Sequence, residues 1–546
     1  MTQIESDEAA VEAPVTEHPA PGAETLDSPV EVTAGQATAK SRAANVHGAL
    51  SIETFCSAGP LSHTHEDADG FSEWLGRWYP SNFRYRDGGV KIWAYTEPHD
   101  NWQDTYGMDA VLCAWHSGHG GMAADGVFFV PLGAPWAGDD CTVTSEQMRL
   151  GDERARYVFW STCESLRVLG GHSPSRTWST ANQGLRMIFG FETISWDFPD
   201  YGRKFGEHWN SGKSLSASWL QASWDLAHDQ APSVSANGAT KEEAQDRLWN
   251  ERNFQWAQAS RAWWWWAWYN VQASSVRAAI HVVPSQPQIP VLARAGSRSL
   301  SSLGQRFGLG ATRSTRYGAG VNLQADGRRV HVRDDGTLSA QLAEPNRGNH
   351  RQLGRQEVLR AAQDAVGVYG LDADGPLVVD RVVEITEAGG TDTGDGTREG
   401  PFVTATMVQF RQFVSGLPII TPSAGAVRVT VDNDGTVTTI EQNTRLVEGL
   451  SEHPQSATPA PTASGRAVDD GPADPAAALA RGLDRTLRAL MLRGTAPIGY
   501  SVVPGSSEIG YDIQGSTAVL VAREAVEMEF EGGYRKRYFV TAPLYA

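Results

Sequence analysis

Cysteine is scarce in this chain, which has 4 cysteines in 546 residues. So few cannot build the disulfide framework of small secreted domains, although Cys56 and Cys141 could pair if the protein is exported. Long apolar runs are also missing, since no stretch reaches the roughly 18 apolar residues of a membrane-spanning helix. The first residues, MTQIESDEAAVEAP, contain neither a basic nor an apolar segment, so no signal peptide is recognisable. We therefore expect no membrane span and, by default, a cytoplasmic location.

Basic residues are outnumbered by acidic ones. The chain has 46 Lys and Arg against 64 Asp and Glu, a formal net charge of −18 at pH 7. An acidic surface of this kind repels phosphate backbones, so we expect no nucleic-acid partner. Apolar material is plentiful, with 40% hydrophobic residues and 19 Trp, and most of the chain is therefore expected to be globular.

The length of the chain suggests two to four domains, and changes of composition divide it into five segments. The stretch VVPSQPQIPV marks a boundary near 284–291. The predicted segments are a flexible acidic tail at 1–45, an α/β domain at 46–285, an α+β domain at 290–450, a Pro/Ala/Ser-rich linker at 451–475 and a small α+β region at 476–546.

Short apolar runs separated by helical stretches fill the segment 46–285. The runs are ALSIETFCS, VKIWAYTE, DAVLCAWHSGHGG, GVFFVPL, RYVFWSTCESL and LRMIFGFETIS. Near-continuous apolar runs of this length indicate strands buried on both faces of a sheet. We therefore predict an α/β fold with a mainly parallel sheet between helices. In such sheets the functional groups lie at the carboxyl ends of the strands.

Two later stretches of this segment are predicted to be helices that cover the sheet, SLSASWLQASWDLAHDQ and EEAQDRLWNERNFQWAQASRAWWWWAWYNVQ. The second contains four consecutive tryptophans, Trp263 to Trp266. Such residues can form a sugar platform or a membrane-interface anchor. Four in a row would point in all directions around a helix, so we expect most of them to pack between the first domain and the next one.

The segment 290–450 changes to alternating apolar and polar positions. The helical stretch GRQEVLRAAQDAVGVYG and a DNDG turn at 432–435 favour an antiparallel sheet with a helix on one face.

The candidate catalytic residues lie at the ends of two of the predicted core strands. VLCAWHSGHGG leads to His119, and RYVFWSTCESLRV leads to Cys163. Acyl transfer by a thiol needs a nucleophile, an acid/base group within hydrogen-bond reach and donors for the developing oxyanion. Adjacent parallel strands lie about 4.8 Å apart, so their ends can bring Cys163 and His119 together. The amides of Gly120 and Cys163 are the candidate oxyanion donors.

The two motifs resemble those of the caspase/legumain/gingipain superfamily of cysteine peptidases. SGHG at 117–120 is similar to the metacaspase and gingipain form, and TCES at 162–165 is similar to the Cys-Glu-Ser of legumains. The resemblance implies a caspase-like α/β sandwich in which Cys163 attacks the scissile carbonyl and His119 protonates the leaving amine. It also implies a peptide or protein substrate and no cofactor.

Alternatives stay open at this stage. The same scaffold without a working dyad would be a peptide- or protein-binding module. Taken alone, Cys163 would be interpreted as a small buried apolar residue. His116 is a second candidate for the base. A specificity pocket is not apparent, so the preferred substrate residue stays unknown; the candidates to line one are Arg176, Trp178, Glu192, Trp196 and Asp197.

A zinc site is an alternative to the cysteine dyad. His63, His65 and Glu66, or His116, His119 and Cys163, supply suitable ligand types. Their spacings match no standard zinc module, and the chain contains neither a Cys-x-x-Cys pair nor an HEXXH helix. We therefore expect no metal.

The segment 290–450 carries a second resemblance. Its stretch VTATMVQFRQFVSGLPIITPSAGAVRVTVDNDGTVTTI looks like the propeptide of thermolysin- and fungalysin-type proteases, which assists folding and blocks the active site. The resemblance implies either an intramolecular contact between this domain and the catalytic cleft or an accessory domain that packs or binds peptides.

Overall fold

The structure, a computed structural model, describes residues 45–136, 138, 141–271, 288–292, 300–309, 313–316, 320–391, 397–452, 473–492 and 497–545. The predicted tail, apart from its last residue, and most of the predicted linker lie outside these residues.

The first part of the chain, residues 45–271, forms a sheet flanked by helices. Its strands are β1 (His47–Ser51), β2 (Ser81–Arg86), β3 (Cys113–Ser117), β4 (Gly121–Met122), β5 (Phe128–Pro131), β6 (Thr142–Thr144), β7 (Tyr157–Ser161), β8 (Met187–Phe191), β9 (Pro232–Gly238) and β10 (Trp263–Asn270). Its helices are α1 (Thr64–Leu75), α2 (Trp102–Tyr106), α3 (Pro174–Trp178), α4 (Tyr201–Asn210), α5 (Leu215–Leu226) and α6 (Lys241–Asn250).

The order of the paired strands is β2, β1, β3, β7, β8, β9 and β10. The first five are parallel to one another, and β9 and β10 are antiparallel to their neighbours. Strands β4 to β6 form a small separate sheet. The prediction of an α/β fold is confirmed at this level.

The central strands are apolar on both sides because both faces of the sheet are covered. In β7, Tyr157 and Phe159 join one core together with residues of α1, α4 and α5. Val158 and Trp160 point the opposite way into a second core. This double burial explains why the sequence shows continuous apolar runs instead of alternation.

The prediction of a helix over the tryptophan run is wrong. Helix α6 ends at Asn250, and the run forms β10, the strand between β9 and β16 (Leu377–Thr391). Trp265 lies in one core, whereas Trp264 and Trp266 lie in the other. Aromatic residues favour strands, and a central strand of a sheet covered on both faces buries successive side chains on its two sides. The expectation that the run packs between the first domain and the next one is confirmed.

The apolar run VKIWAYTE is not a strand either. Its centre is a 3-10 turn at Ile92–Ala94. Its side chains are nevertheless buried in the second core. The apolar pattern therefore predicted burial but not strand pairing.

The middle of the chain is mainly antiparallel. Its elements are β11 (Gln288–Leu292), α7 (Leu300–Arg306), β12 (Arg313–Arg316), β13 (Gly320–Ala325), β14 (Arg328–Arg333), β15 (Leu338–Gln341), α8 (Arg355–Val368), β16, β17 (Arg398–Val414), β18 (Leu417–Pro418), β19 (Ala426–Asp432), β20 (Val437–Gln442) and β21 (Val447–Glu452). The predicted helix is α8, and the predicted DNDG hairpin joins β19 to β20. Within that turn, Asp432 accepts hydrogen bonds from the amides of Asp434 and Thr436.

One sheet runs through the first and middle parts of the chain. Strand β10 pairs with β9 on one side and with β16 on the other. From β16 the sheet continues through β17, β19, β20, β15, β14 and β13 to β12. The two parts therefore share backbone hydrogen bonds as well as side-chain contacts.

The last part of the chain forms a second, antiparallel sheet. Its elements are α9 (Pro475–Leu492), β22 (Gly499–Val502), β23 (Glu508–Gln514), β24 (Thr517–Glu529) and β25 (Arg535–Pro543). Strand β24 pairs with β22, β23 and β25. Strand β11, which also pairs with β21, joins this sheet through β24.

Cys56 and Cys141 form a disulfide, as the sequence allowed. The bond ties the loop after β1 to the loop before β6. Among the described residues, no helix combines the length and apolar character needed to cross a membrane.

The close contact between β10 and β16 makes Gly389→Ala a test of this architecture. A Cβ at Gly389 would lie 1.9 Å from Cε3 of Trp265. We expect this overpacking to lower the free energy of unfolding by about 3 kcal/mol. The control is Gly367→Ala in α8, where a Cβ would meet nothing within 4 Å. This substitution should raise the free energy of unfolding by about 0.5–1 kcal/mol. Urea unfolding measures both, and equal effects would contradict the predicted packing.

Candidate active site

The site lies where β3 and β7 end. These strands pair in parallel, with Ser117 opposite Ser161 at their last residues. The turns after these residues leave the sheet at the same edge, and the Gly118 amide donates to the Ser161 carbonyl over 3.4 Å. His119 and Cys163 therefore occupy neighbouring turns, as their positions in the sequence predicted.

The two turns contact each other through Gly120. A Cβ at Gly120 would lie 2.9 Å from Cβ of Thr162, so a side chain there would push the turns apart. Neither the Gly120 amide nor the Cys163 amide donates a hydrogen bond to any acceptor of the described residues. Both predicted oxyanion donors therefore have an unused N–H.

The Cys163 thiol is buried, with 1% of the residue exposed. It donates to the carbonyl oxygen of Arg535 over 3.0 Å and accepts from the Ser195 amide over 3.3 Å. The hydroxyl of Ser195 lies 3.6 Å from the sulfur. The residue after the cysteine, Glu164, has a φ of +53°, a left-handed conformation that turns the chain sharply at this point.

His119 is fully buried. Its Nε2 hydrogen-bonds the Gly59 carbonyl over 3.0 Å. Because a carbonyl only accepts, Nε2 carries the proton, and Nδ1 is left as an acceptor. No hydrogen-bond donor of the described residues reaches that Nδ1, so Cys163 and His119 are not hydrogen-bonded to each other here.

Burial keeps His119 neutral. It lowers the pKa of the imidazole, and the positive charge of Lys536 lowers it further, to about 3. The bond to Gly59 acts in the opposite direction. At neutral pH the ring is therefore an uncharged base with an available lone pair on Nδ1.

The groups that cover the site come from the end of the chain. We call residues 530–537 the closing segment; they form the turn between β24 and β25 and the first residues of β25. The rings of Phe530 and Tyr534 lie 5.3 Å from the His119 ring, and Phe55 lies 4.9 Å away on another side. Among the described residues, the aromatic rings that contact His119 come from this segment and from Phe55, and none comes from the domain at 290–450, for which the propeptide resemblance allowed a contact with the cleft or an accessory role.

The closing segment lies extended along residues 195–197. Trp196 forms a parallel bridge with Arg537, and the Asp197 amide donates to the Arg537 carbonyl over 3.3 Å. The Trp196 ring also lies 4.1 Å from the ring of Phe539. Of the five candidate pocket residues, these two therefore lie beside the cleft.

The other three candidate pocket residues have structural contacts elsewhere. Trp178 is fully buried against Trp160. Glu192 accepts hydrogen bonds from the amides of Val168 and Leu169. Arg176 bonds the Gly171 carbonyl over 3.4 Å at an exposed position. None of these contacts involves the dyad.

A buried carboxylate, Asp67 in α1, lies beneath the two strand ends and was not identified from the sequence. It accepts from the Ser117 hydroxyl over 2.7 Å and from the Gly202 amide over 2.9 Å. Burial raises its pKa from 3.8 to about 6, while hydrogen bonds, including one with Ser161, and the charge of Lys536 oppose the rise.

His116 and the zinc alternatives are not supported by the geometry. The His116 Nδ1 hydrogen-bonds the Tyr95 hydroxyl over 2.8 Å, and its ring lies on the face of β3 opposite to Ser117. His65 bonds Ser51 and Asp87. The described residues hold one group of three side chains close enough together to hold a metal, the aspartates Asp104, Asp109 and Asp152. Neither of the two histidine sets is brought together.

Residues 47–269 match the profile of the DUF6345 family, a domain of unknown function. The match begins at the first residue of β1 and ends within β10. It therefore covers the sheet that carries His119 and Cys163 and stops before the middle part of the chain. A comparison with curated proteins found no match.

Asp67→Asn tests the electrostatics of this site. The pKa of Asp67 is raised from 3.8 to about 6 in the folded protein, so between these values the folded state binds more protons than the unfolded state. The wild type therefore gains stability as the pH falls, whereas the variant lacks this contribution. We expect the free energy of unfolding of the wild type, relative to the variant, to rise by roughly 2 kcal/mol from about pH 8 to about pH 4.5. Urea unfolding of both proteins at both pH values measures this. A difference in free energy of unfolding between wild type and variant that is the same at the two pH values would refute the prediction.

Proposed function

We propose that the chain is a cysteine peptidase with Cys163 as nucleophile and His119 as acid/base, on a caspase-like sheet. The observation that carries this proposal is the 3.0 Å contact between the Cys163 thiol and the peptide carbonyl of Arg535. An extended segment of polypeptide thus lies on the thiol, between two strand ends that also position a histidine and two unused amides.

The proposed reaction is acyl transfer by a thiol. The Nδ1 of His119 takes the thiol proton as Cys163 Sγ attacks the carbonyl carbon of a substrate peptide. The amides of Gly120 and Cys163 bind the developing oxyanion. His119 then gives the proton to the leaving amine as the C–N bond breaks. Water hydrolyses the thioester, with the same imidazole as base, and releases the free thiol.

The described conformation corresponds to a latent form in this proposal. Cys163 and His119 are 1% and 0% exposed, and they lack a mutual hydrogen bond. A substrate can bind only after the closing segment leaves the cleft. The same burial favours the second candidate function, a caspase-like scaffold that binds its own or another peptide without cleaving it. The propeptide resemblance of the domain at 290–450 stays a prediction under both functions.

Lys536→Glu should expose the thiol. Lys536 is 2% exposed, and a carboxylate in its place would be buried near Asp67 without a compensating charge. We expect iodoacetamide to modify Cys163 at least 10-fold faster in this variant than in the wild type, as read by mass spectrometry. Adding His119→Ala should slow the reaction again, because the base that activates the thiol is removed.

Two controls accompany the labelling. Thr541→Glu introduces the same charge on an exposed position of the same strand and should leave the rate unchanged. Cys113 is an internal reference, since burial raises the pKa of its thiol and keeps it unreactive. If Cys163 in Lys536→Glu reacted no faster than Cys113, the activated thiol would be refuted.

Peptide turnover separates the two candidate functions. We expect Lys536→Glu to cleave members of a peptide library and the double variant Lys536→Glu/Cys163→Ala to cleave none. Mass spectrometry of the library identifies the products. A Lys536→Glu protein that is folded by circular dichroism and labels rapidly at Cys163, but cleaves no peptide, would favour the scaffold.

A further inference from the structure

A buried lysine lies beside the dyad. Lys536 is 2% exposed, although its neighbours in β25, Arg535 and Arg537, have side chains that are 45% and 16% exposed. Its Nζ donates to the Ser195 hydroxyl over 2.8 Å, its one hydrogen bond among the described residues. Burial of an ammonium is unfavourable unless the surroundings provide acceptors and an opposite charge. The Ser195 hydroxyl is the acceptor that the cleft offers to this side chain.

The charge that complements Lys536 is on Asp67. Its carboxylate is held under the ends of β3 and β7 by Ser117 and Ser161. Among the described residues, no basic nitrogen lies within 4.0 Å of it, so it forms no direct ion pair. The positive charge of Lys536 lowers the pKa of this carboxyl group, so Lys536 is the cation that we assign to Asp67.

The pocket opens next to the nucleophile. Ser195 binds Lys536 through its hydroxyl and the Cys163 sulfur through its amide, over 2.8 and 3.3 Å. The main chain is held on both sides of Lys536, at the Arg535 carbonyl by Cys163 and at the Arg537 carbonyl by Asp197. Peptide grooves commonly work this way, with main-chain bonds for affinity and side-chain pockets for specificity.

We propose that Asp67 and Ser195 form a specificity pocket for a lysine side chain of a bound peptide, and that Lys536 is its internal occupant. The role of that peptide as a substrate rests on the peptidase function proposed above, whereas its binding does not. The closing segment then keeps the cleft shut by filling the position that a substrate needs.

The pocket should prefer lysine to arginine. The two carboxylate oxygens of Asp67 are already bonded to Ser117 and Gly202. These bonds leave fewer acceptor positions for a guanidinium, which binds carboxylates best through two parallel hydrogen bonds. A compact ammonium needs one hydroxyl and a nearby negative charge, and the site provides both.

Binding of synthetic peptides tests the pocket. The host is the full chain with Lys536→Glu, which vacates the pocket, and Cys163→Ala, which prevents turnover. The probe is a fluorescent peptide with the sequence EGGYRKRYFV of residues 531–540. Its analogues carry norleucine, arginine or glutamate in place of the lysine. By fluorescence anisotropy we expect the norleucine and glutamate peptides to bind at least 10-fold more weakly than the lysine peptide, and the arginine peptide to be intermediate.

Matched variants test whether Asp67 causes the preference for the lysine peptide. Asp67→Asn in the host should reduce the lysine-to-norleucine ratio to below about 3-fold. Asp69→Asn removes the same charge from the same helix, at an ion pair with Arg86, and should leave the ratio unchanged. Equal binding of the lysine and norleucine peptides, a ratio that survives Asp67→Asn, or no binding by a folded host would each overturn the proposal.

Peptide binding and peptide cleavage together distinguish a failure of the pocket from a failure of the peptidase. A lysine preference in binding, without cleavage by Lys536→Glu, would refute the peptidase and leave the pocket standing. Cleavage by Lys536→Glu at sites without lysine, together with equal binding of the analogues, would refute the pocket and leave the peptidase standing.

Discussion

The parallel, in-register pairing of β3 with β7 is the constraint on which the site depends. It places Ser117 level with Ser161, so the turns that carry His119 and Cys163 start from the same height. A slip of one residue would turn every side chain of one strand to the opposite face and would separate the two turns. The register is fixed by burial, since both faces of β7 are filled by large apolar side chains. The core of the sheet thus determines the geometry of the polar groups at its edge.

Much of this arrangement could be predicted from the sequence because it is local. Apolar runs marked β3 and β7, and the glycines around His119 marked a tight turn. The prediction of a helix over the tryptophan run was wrong because a continuous apolar run predicts burial only. Whether such a run forms a helix or a strand depends on its tertiary contacts. The closing segment could not be found this way. Lys536 lies 341 residues from Ser195, and the local sequence RKRYF resembles an ordinary edge strand with charged side chains.

The closing segment affects chemistry as well as access. It buries His119 and places the charge of Lys536 near it, and both effects lower the pKa of the imidazole. Lys536 also opposes the raised pKa of Asp67. Displacement of the segment would therefore remove a cover from the thiol, raise the pKa of His119 and remove the charge of Lys536 from Asp67 in a single step. In the proposed peptidase, opening the cleft and preparing its acid/base group are therefore the same event.

The position of the closing segment near the end of the sequence has a consequence for synthesis. All strands of the first part of the chain have been made once β10 is complete, although β10 gains its second neighbour, β16, only later. At about 5–20 residues per second, the roughly 260 residues that separate β10 from the closing segment take about 13–52 s to translate. During this interval the closing segment does not yet exist, so the cleft of each new molecule cannot be closed by it until translation has passed residue 537.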